Sequence, residues 1–226
     1  MILKLLVVVL AISIAYLLKE LQNVRSTPHH SSFQNTLRYT QTKFSSLHYN
    51  SLRRILQVDV DERIFSTKFG PLKNSNNQTA TIQRYSVDAS HFPPAVLDVL
   101  IFPTSIGEVS QIVALCVRER LPITIQGTLT GLEGAAIPYD GGVVLNMRLM
   151  RSVVKLFEQD LQVQVQVGIT KSELNAFLEP KGLMFAVDPG SDSSIGGQLS
   201  TGASGMLSVL YGTIRDVSTV SSRFAR

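Results

Sequence analysis

The run of residues 188–205 constrains the fold more than any other part of the sequence, because its 18 residues include five glycines and few large apolar side chains. A segment of this composition buries little apolar area, and a long loop of this kind inside a compact domain is either functional or disordered. The many hydroxyl groups favour a functional loop. Ile195 and Leu199, together with the small Gly202 and Ala203, predict that part of it packs closely against a flat surface.

A second glycine-rich segment, residues 126–134, follows directly after a predicted strand. Glycines that adopt positive φ can turn successive backbone N–H groups toward one point and so form an anion-binding site. Thr128 and Thr130 add hydroxyl donors. Three glycines after a strand also form ordinary tight turns, so this segment by itself leaves both alternatives open.

The apolar pattern predicts an alternation of strands and helices around these segments. Residues 161–167 alternate strictly between apolar side chains and glutamines, which predicts a strand with one buried face. The short turn at residues 158–160 can join only antiparallel strands, so the sheets cannot all be parallel. We therefore expect an α+β fold of mixed sheets with flanking helices. The predicted strands are residues 96–102, 122–126, 143–146, 152–157 and 161–167, with a short helix at 51–56 and a loop at 70–80.

Two reciprocal capping boxes predict where the two main helices begin. Ser105 is followed by Glu108, and Thr170 by Glu173, each pair at the spacing at which side chain and backbone cap one another. The inward faces are predicted to carry Val109, Ile112, Val113 and Cys116 in the first helix, and Leu174, Phe177 and Leu178 in the second. Cys116 is the single cysteine, which excludes an internal disulfide and favours a buried core residue.

The amino-terminal region differs in composition from the rest of the chain. Residues 2–18 are almost entirely apolar, and at about 17 residues they reach the lower limit for a helix that spans a bilayer. We expect residues 1–20 to be a membrane anchor or a targeting segment, with a cleaved peptide and a buried helix as alternatives. Residues 21–50 are expected to form a polar linker, and residues 51–226 the folded domain. The basic, serine-rich composition predicts a mitochondrial location, with an endomembrane anchor as the alternative.

Charge and cysteine content exclude some classes of function. A net charge of +4 without any tryptophan does not indicate a nucleic-acid surface. The residues also lack the ligand spacing of a zinc or iron–sulfur site, so no metal is predicted.

Six pieces occur in a fixed order between residues 85 and 216, and together they resemble one family. The pieces read PTSIGEVSQIV, GTLTGLEG, GGVVLNM, VQVGITKSELN, GLMFAVDPGSDSSIGGQLSTGASG and YGTIRD. They are similar to the FAD-binding domain of the vanillyl-alcohol oxidase and p-cresol methylhydroxylase flavoproteins. Within that group the likeness is greatest to the mitochondrial D-lactate dehydrogenases and the related glycolate oxidases.

The resemblance implies FAD as cofactor and assigns roles to both glycine-rich segments. The first segment would hold the FAD pyrophosphate, and the second would lie along the isoalloxazine and ribityl groups. The implied pyrophosphate residues are Gly127, Thr128, Thr130, Gly131 and Leu132. The implied residues of the second segment are Pro189, Gly190, Ser191, Ser194, Gly196, Gly197 and Gly202, followed by Tyr211 and Gly212 at the family's spacing. The implied reaction is hydride transfer from a small D-2-hydroxy acid to the flavin, with cytochrome c accepting the electrons.

Two departures from the family pattern affect these expectations. Leu129 stands where relatives usually have a glycine, and a leucine forced to positive φ would be strained by about 1 to 2 kcal/mol. In relatives the chain continues past the position of Asp216 into strands that complete the FAD-binding domain and then into a domain that binds the substrate. The FAD-binding domain is therefore expected to be truncated here, and the substrate domain to be missing. A membrane-tethered flavin-binding module without catalysis is the alternative.

Overall fold

The computed structural model describes residues 6–9, 42–57, 63–66, 68–69 and 75–218, which form two sheets with flanking helices. The strands are β1 (Leu6–Val9), β2 (Ile64–Phe65), β3 (Val99–Ile101), β4 (Ile123–Gln126), β5 (Val143–Asn146), β6 (Val153–Phe157) and β7 (Gln162–Val165). The helices are α1 (Ser46–Leu56), α2 (Ser75–Arg84), α3 (Ile106–Glu119), α4 (Lys171–Leu178), α5 (Ile195–Thr201), α6 (Ser208–Tyr211) and α7 (Ile214–Val217). Short 3-10 helices span Met147–Leu149 and Glu179–Lys181.

The larger sheet has the strand order β2-β3-β5-β4 and carries the first glycine-rich segment at one edge. β3, β5 and β4 are parallel, whereas β2 pairs with β3 in the antiparallel direction. All residues of β3 and β5 are buried, as expected of central strands that are covered on both faces. The predicted strands in this sheet are confirmed: β5 has the predicted bounds, and β3 and β4 are shorter than predicted.

The smaller sheet has the order β1-β7-β6, and the turn at residues 158–160 joins β6 to an antiparallel β7 as expected. Val163 and Val165 are fully buried, so the alternating pattern is confirmed. Leu161 is an exception, because it lies in the turn before β7 with φ of 53° and is only half-buried. The mixed α+β fold class follows from these pairings.

Helix α3 packs its predicted apolar face into the main core. Val109, Ile112 and Cys116 are each about 1% exposed or less, and burial raises the pKa of the Cys116 thiol to about 12. The prediction of a buried core cysteine is therefore confirmed. The Ser105 hydroxyl accepts the Glu108 N–H at 3.2 Å, but the Glu108 carboxylate accepts the N–H of Thr104, so only half of the expected box forms here.

Helix α4 has the complete capping box. The Thr170 hydroxyl accepts the Glu173 N–H at 3.2 Å, and the Glu173 carboxylate accepts the Thr170 N–H at 3.0 Å. Leu174 and Leu178 are buried as predicted. Phe177 is 38% exposed, so its predicted burial is wrong; the Lys181 ammonium lies 5.4 Å from its ring centre instead.

Two helices extend beyond what the sequence predicted. α1 begins at Ser46 rather than at residue 51, and Phe44 before it is buried, so the folded domain includes the end of the expected linker. The missed signal is the spacing of Tyr49, Leu52 and Leu56, which places three buried side chains on one helix face. Residues 75–84 form α2, so the loop predicted for residues 70–80 is wrong over its second half.

Most of the apolar amino-terminal segment lies outside the described residues, as does the linker from residue 21 to residue 41. The described part, Leu6–Val9, is a strand parallel to β7 and not the expected helix. None of the helices in the described ranges is long and apolar enough to cross a membrane.

Candidate functional site

The first glycine-rich segment leaves the sheet where two parallel strands end side by side. Gln126 at the end of β4 pairs with Asn146 at the end of β5, and both side chains are buried. The Asn146 amide donates to the Gly127 carbonyl at 2.9 Å, while the Gln126 amide donates to the carbonyls of Tyr85 and Ala136 at 2.8 and 2.7 Å. These two buried amides therefore fix both ends of the segment.

The middle of this segment presents unpaired backbone donors. Within the described part of the chain, the N–H groups of Thr128, Leu129 and Thr130 donate to no protein acceptor. Leu129 has φ of 63°, while neither threonine beside it has positive φ. A left-handed residue between ordinary ones turns successive N–H groups to one side, which is the geometry of a backbone anion site. The threonine hydroxyls lie 3.3 Å apart and extend the same polar surface.

The strain expected at Leu129 is present. A leucine with this φ costs about 1 to 2 kcal/mol relative to the ordinary helical or extended conformation. Two contacts hold it there: the Leu129 carbonyl accepts the Ala89 N–H at 3.0 Å, and its side chain packs against a core cluster that includes Tyr85 and Phe102. Tertiary contacts thus impose the conformation that a glycine would adopt freely.

A cavity of about 440 Å³ opens against this segment. Its volume is within the range of small-molecule sites. The lining residues are Arg84, Tyr85, Val87, Asp88, Ala89, Gly127, Thr128, Leu129 and Arg148. Sequence reasoning missed the lining residues between 84 and 89 and Arg148, because no local pattern marks them. The bond from the Ala89 N–H to Leu129 holds the first group against the segment, and the bond to the Tyr85 hydroxyl holds Arg148.

The second glycine-rich segment is only partly a loop, because residues 195–201 form α5. Ser194 caps this helix, its hydroxyl accepting the Gly197 N–H at 3.3 Å. The N–H groups of Ile195 and Gly196 donate to the carbonyls of Ile169 and Val167, each at 2.8 Å. The expectation of one long loop is therefore wrong, and the first amides of α5 are already paired within the protein. A Cβ on Gly196 would lie 2.7 Å from Val167, so glycine here serves close packing.

The structure brings the two glycine-rich segments into contact. The Thr128 hydroxyl accepts the Ser194 N–H at 3.3 Å. A Cβ on Gly127 would lie 2.3 Å from the Ser194 hydroxyl oxygen, so a side chain here would displace the hydroxyl that caps α5. Of the predicted site residues, Gly127, Thr128 and Ser194 therefore meet at one place.

The loop before α5 is tied to the start of α4 by two aspartates. The Lys171 ammonium donates to Asp188 at 2.7 Å, and this bond, with one from the Gly190 N–H, lowers the pKa of the Asp188 carboxyl. Burial alone would raise the pKa of Asp192, but bonds from Ser172 and Thr170 outweigh it and lower that pKa. Both carboxylates thus order the loop in their charged form.

The other predicted residues occupy varied positions. Gly131 and Leu132 are exposed, Pro189 and Ser191 are half-buried, and Tyr211 is buried. Gly190 has φ of 86°, with open space where a Cβ would point. Gly202 ends α5 with φ of 66°, and Gly212 has φ of 85°. Among the predicted residues, Gly127 and Thr128 line the cavity described above and the other twelve do not. Their contacts with a ligand stay predictions.

Three buried oxygen atoms in the described part of the chain lack a hydrogen-bond partner. They belong to Asp88 in the cavity wall, Gln126 at the start of the first segment and Gln198 in α5. Unpaired buried acceptors are rare in folded proteins, and these three lie at the two glycine-rich segments or at the cavity. With the unpaired amides, they make this region suited to a ligand that has both an anionic group and hydrogen-bond donors, as FAD has.

A family model described as an FAD binding domain matches residues 97–220, more than half of the chain. The chain belongs to this FAD-binding family. FAD is therefore its cofactor, and the resemblance to the p-cresol methylhydroxylase type of FAD-binding domain is confirmed.

Curated relatives agree with this assignment. The probable mitochondrial D-lactate dehydrogenase of Danio rerio is 46% identical over 119 residues, which are 53% of this chain and 24% of the relative. The mitochondrial D-lactate dehydrogenase (cytochrome) of Arabidopsis thaliana is 40% identical over 161 residues, 71% of this chain and 25% of the relative. The chain thus spans about a quarter of the length of these two relatives.

A solved structure supports the fold. Alkyldihydroxyacetonephosphate synthase superposes with a TM-score of 0.65 at 22% sequence identity, covering 78% of this chain and 32% of that one. At this identity the likeness shows a shared fold.

Proposed function

We propose that this chain forms the FAD-holding part of an oxidoreductase that converts a D-2-hydroxy acid to the 2-oxo acid. The observation that carries the proposal is the 46% and 40% identity to two relatives named D-lactate dehydrogenases, over 119 and 161 residues of this chain. The names of these relatives also support a mitochondrial location, and that of the Arabidopsis protein supports a cytochrome as electron acceptor, which we take to be cytochrome c.

When bound, FAD would accept the hydride that leaves the substrate α-carbon, and a base would accept the proton of the substrate hydroxyl. The residues of this chain bind and orient. The unpaired amides of Thr128, Leu129 and Thr130 bind the pyrophosphate, with Gly127, Gly131 and Leu132 shaping that turn. Since the first amides of α5 are paired internally, the second segment contributes surface rather than phosphate donors.

In this proposal the flavin ring and ribityl chain lie along the second segment. Gly190 offers open space beside the half-buried Pro189 and Ser191. Ser194, Gly196 and Gly197 fix the position of that surface through the cap of α5. Gly202, Tyr211 and Gly212 end the helix and begin the turn that follows it.

The test is an anaerobic titration of the purified, FAD-loaded chain. D-lactate is expected to bleach the visible flavin absorbance, L-lactate is not, and oxidised cytochrome c is expected to restore the absorbance. Glycolate and D-2-hydroxyglutarate are tested beside D-lactate, because relatives are named for those two acids. Bound flavin that none of the three acids bleaches would overturn catalysis by this chain and leave only the flavin-binding role.

A flavin-binding role without catalysis is the second candidate, and one observation favours it. The histidines in the described part of the chain do not line the cavity: His48 accepts the Ser45 N–H at the start of α1, and His91 stacks on Phe92 at 4.3 Å. Histidine is the commonest catalytic base. The same titration separates the two candidates, since this one expects bound flavin that stays oxidised.

A further inference from the structure

Arg148 is held in place although its side chain is exposed. It follows β5, in the 3-10 helix Met147–Leu149, and one of its terminal nitrogens donates to the Tyr85 hydroxyl at 2.7 Å. Its guanidinium carbon lies 4.8 Å from the centre of the Phe102 ring. A hydrogen bond and a cation–π contact together restrict a side chain that is usually mobile at a surface.

The charge of Arg148 is directed to the cavity and is not neutralised there. No carboxylate in the described ranges lies within ion-pair distance of it. The charged residues that line the cavity are Arg84, Arg148 and Asp88, so two guanidinium groups are opposed by one carboxylate. The unpaired amides of Thr128 and Leu129 belong to the same wall. An anionic group entering the cavity would therefore meet both a segment with unpaired backbone donors and Arg148.

We propose that Arg148 binds a phosphate group of the bound dinucleotide, and that Tyr85 and Phe102 position it for that contact. The inference rests on the proposed role of residues 126–134 in holding the pyrophosphate. With one nitrogen bonded to Tyr85, the guanidinium keeps further N–H donors in a fixed plane, and such a fork matches phosphate oxygens well. Arg148 is thus a binding residue and Tyr85 a positioning residue.

The experiment measures FAD affinity of the whole chain by quenching of flavin fluorescence, without any hydroxy acid. Arg148→Gln is expected to raise the FAD dissociation constant about tenfold, as loss of a charged hydrogen bond does. Arg118→Gln is the matched control, because Arg118 is exposed on α3 and pairs with Glu119 away from the cavity. Tyr85→Phe keeps the ring that packs on Phe102 and removes only the hydroxyl, so it is expected to weaken binding less than Arg148→Gln does.

Further measurements exclude a general loss of structure and locate the phosphate. Arg148→Lys keeps the charge without the fork and is expected to recover part of the affinity. Added salt is expected to weaken FAD binding more in the wild type than in Arg148→Gln, because the variant has lost a charge contact. Competition for the FAD site by ADP and by FMN is measured in the wild type and in Arg148→Gln. The competitor whose binding the variant weakens contains the phosphate that Arg148 binds.

Each outcome decides the proposal. An Arg148→Gln chain that binds FAD within twofold of the Arg118→Gln control overturns it, and so does equal salt dependence in the variant and the wild type. A wild-type chain that binds no FAD overturns it together with the pyrophosphate site. FAD that binds normally but is not bleached by D-lactate overturns only the proposed function.

Discussion

The two glycine-rich segments look alike in sequence but use their glycines differently. In residues 126–134 the backbone N–H groups of Thr128, Leu129 and Thr130 donate to no acceptor in the described part of the chain, and Gly131 has no atom within 4 Å of its missing Cβ. In residues 188–205 the first amides of α5 are paired, and a Cβ on Gly205 would lie 1.7 Å from the Asp188 carbonyl oxygen. Open backbone in the first segment is thus confined to its middle, around Gly131, because Gly127 lies close to Ser194 and Gly134 to Phe92. Most glycines of the second segment permit close packing.

This difference has consequences for mutation. Where glycine leaves space for a ligand, a methyl group should affect ligand binding and leave the fold intact. Where glycine permits two backbone stretches to touch, the same methyl group must displace one of them. A methyl group at the first kind of position should therefore lower cofactor affinity more than stability. At the second kind of position it should lower stability more than cofactor affinity.

Gly205→Ala is expected to have the largest effect on stability. The added Cβ overlaps the backbone of Asp188, which cannot rotate away as a side chain could. We expect the free energy of unfolding to fall by about 1 to 3 kcal/mol, measured by urea denaturation. Gly131→Ala is the matched control and should change it by less than about 0.5 kcal/mol while weakening FAD binding. Equal stability losses in the two variants would remove the contrast between the segments.

Leu129 tests the strain in the first segment, with a smaller expected effect. Leu129→Ala and Leu129→Gly both lose the packing of the leucine side chain, but only glycine is relaxed at φ of 63°. We expect the glycine variant to be more stable than the alanine variant by about 1 kcal/mol in the same denaturation experiment. An alanine variant that equals or exceeds the glycine variant would show that the backbone there is not strained.

Asp192 tests the ties of the second segment and should have the smallest effect. Its carboxylate accepts the Ser172 N–H at 2.9 Å, and its pKa is below the ordinary value of 3.8. A lowered folded pKa means that the stabilisation is present above pH 3.8 and is lost as the pH falls through the folded pKa. Asp192→Asn should therefore be less stable than the wild type at pH 7 and approach it in stability below about pH 3.8. The melting temperatures of the wild type and of Asp192→Asn are measured as a function of pH. A difference between them that stays constant down to about pH 2 would contradict the prediction.

Local sequence signals predicted the elements whose cause is local. The capping box at Thr170, the alternating residues before Val167 and the apolar face around Cys116 each depend on residues a few positions apart. The signals failed where a partner lies far along the chain. α5 forms within a segment of glycines because Ile169 and Val167 accept its first amides, which no local pattern could show.

The sequence alone thus determined the fold class, the family, the place of the first glycine-rich segment after β4 and the strain at Leu129. The tertiary structure decided which glycines face open space, and it brought Ser194 to Thr128 across 66 positions and Arg148 to Tyr85 across 63. The physical reason is that periodicity and capping arise from neighbouring residues, whereas a binding cavity is formed by backbone stretches that meet only when both sheets and their helices have packed.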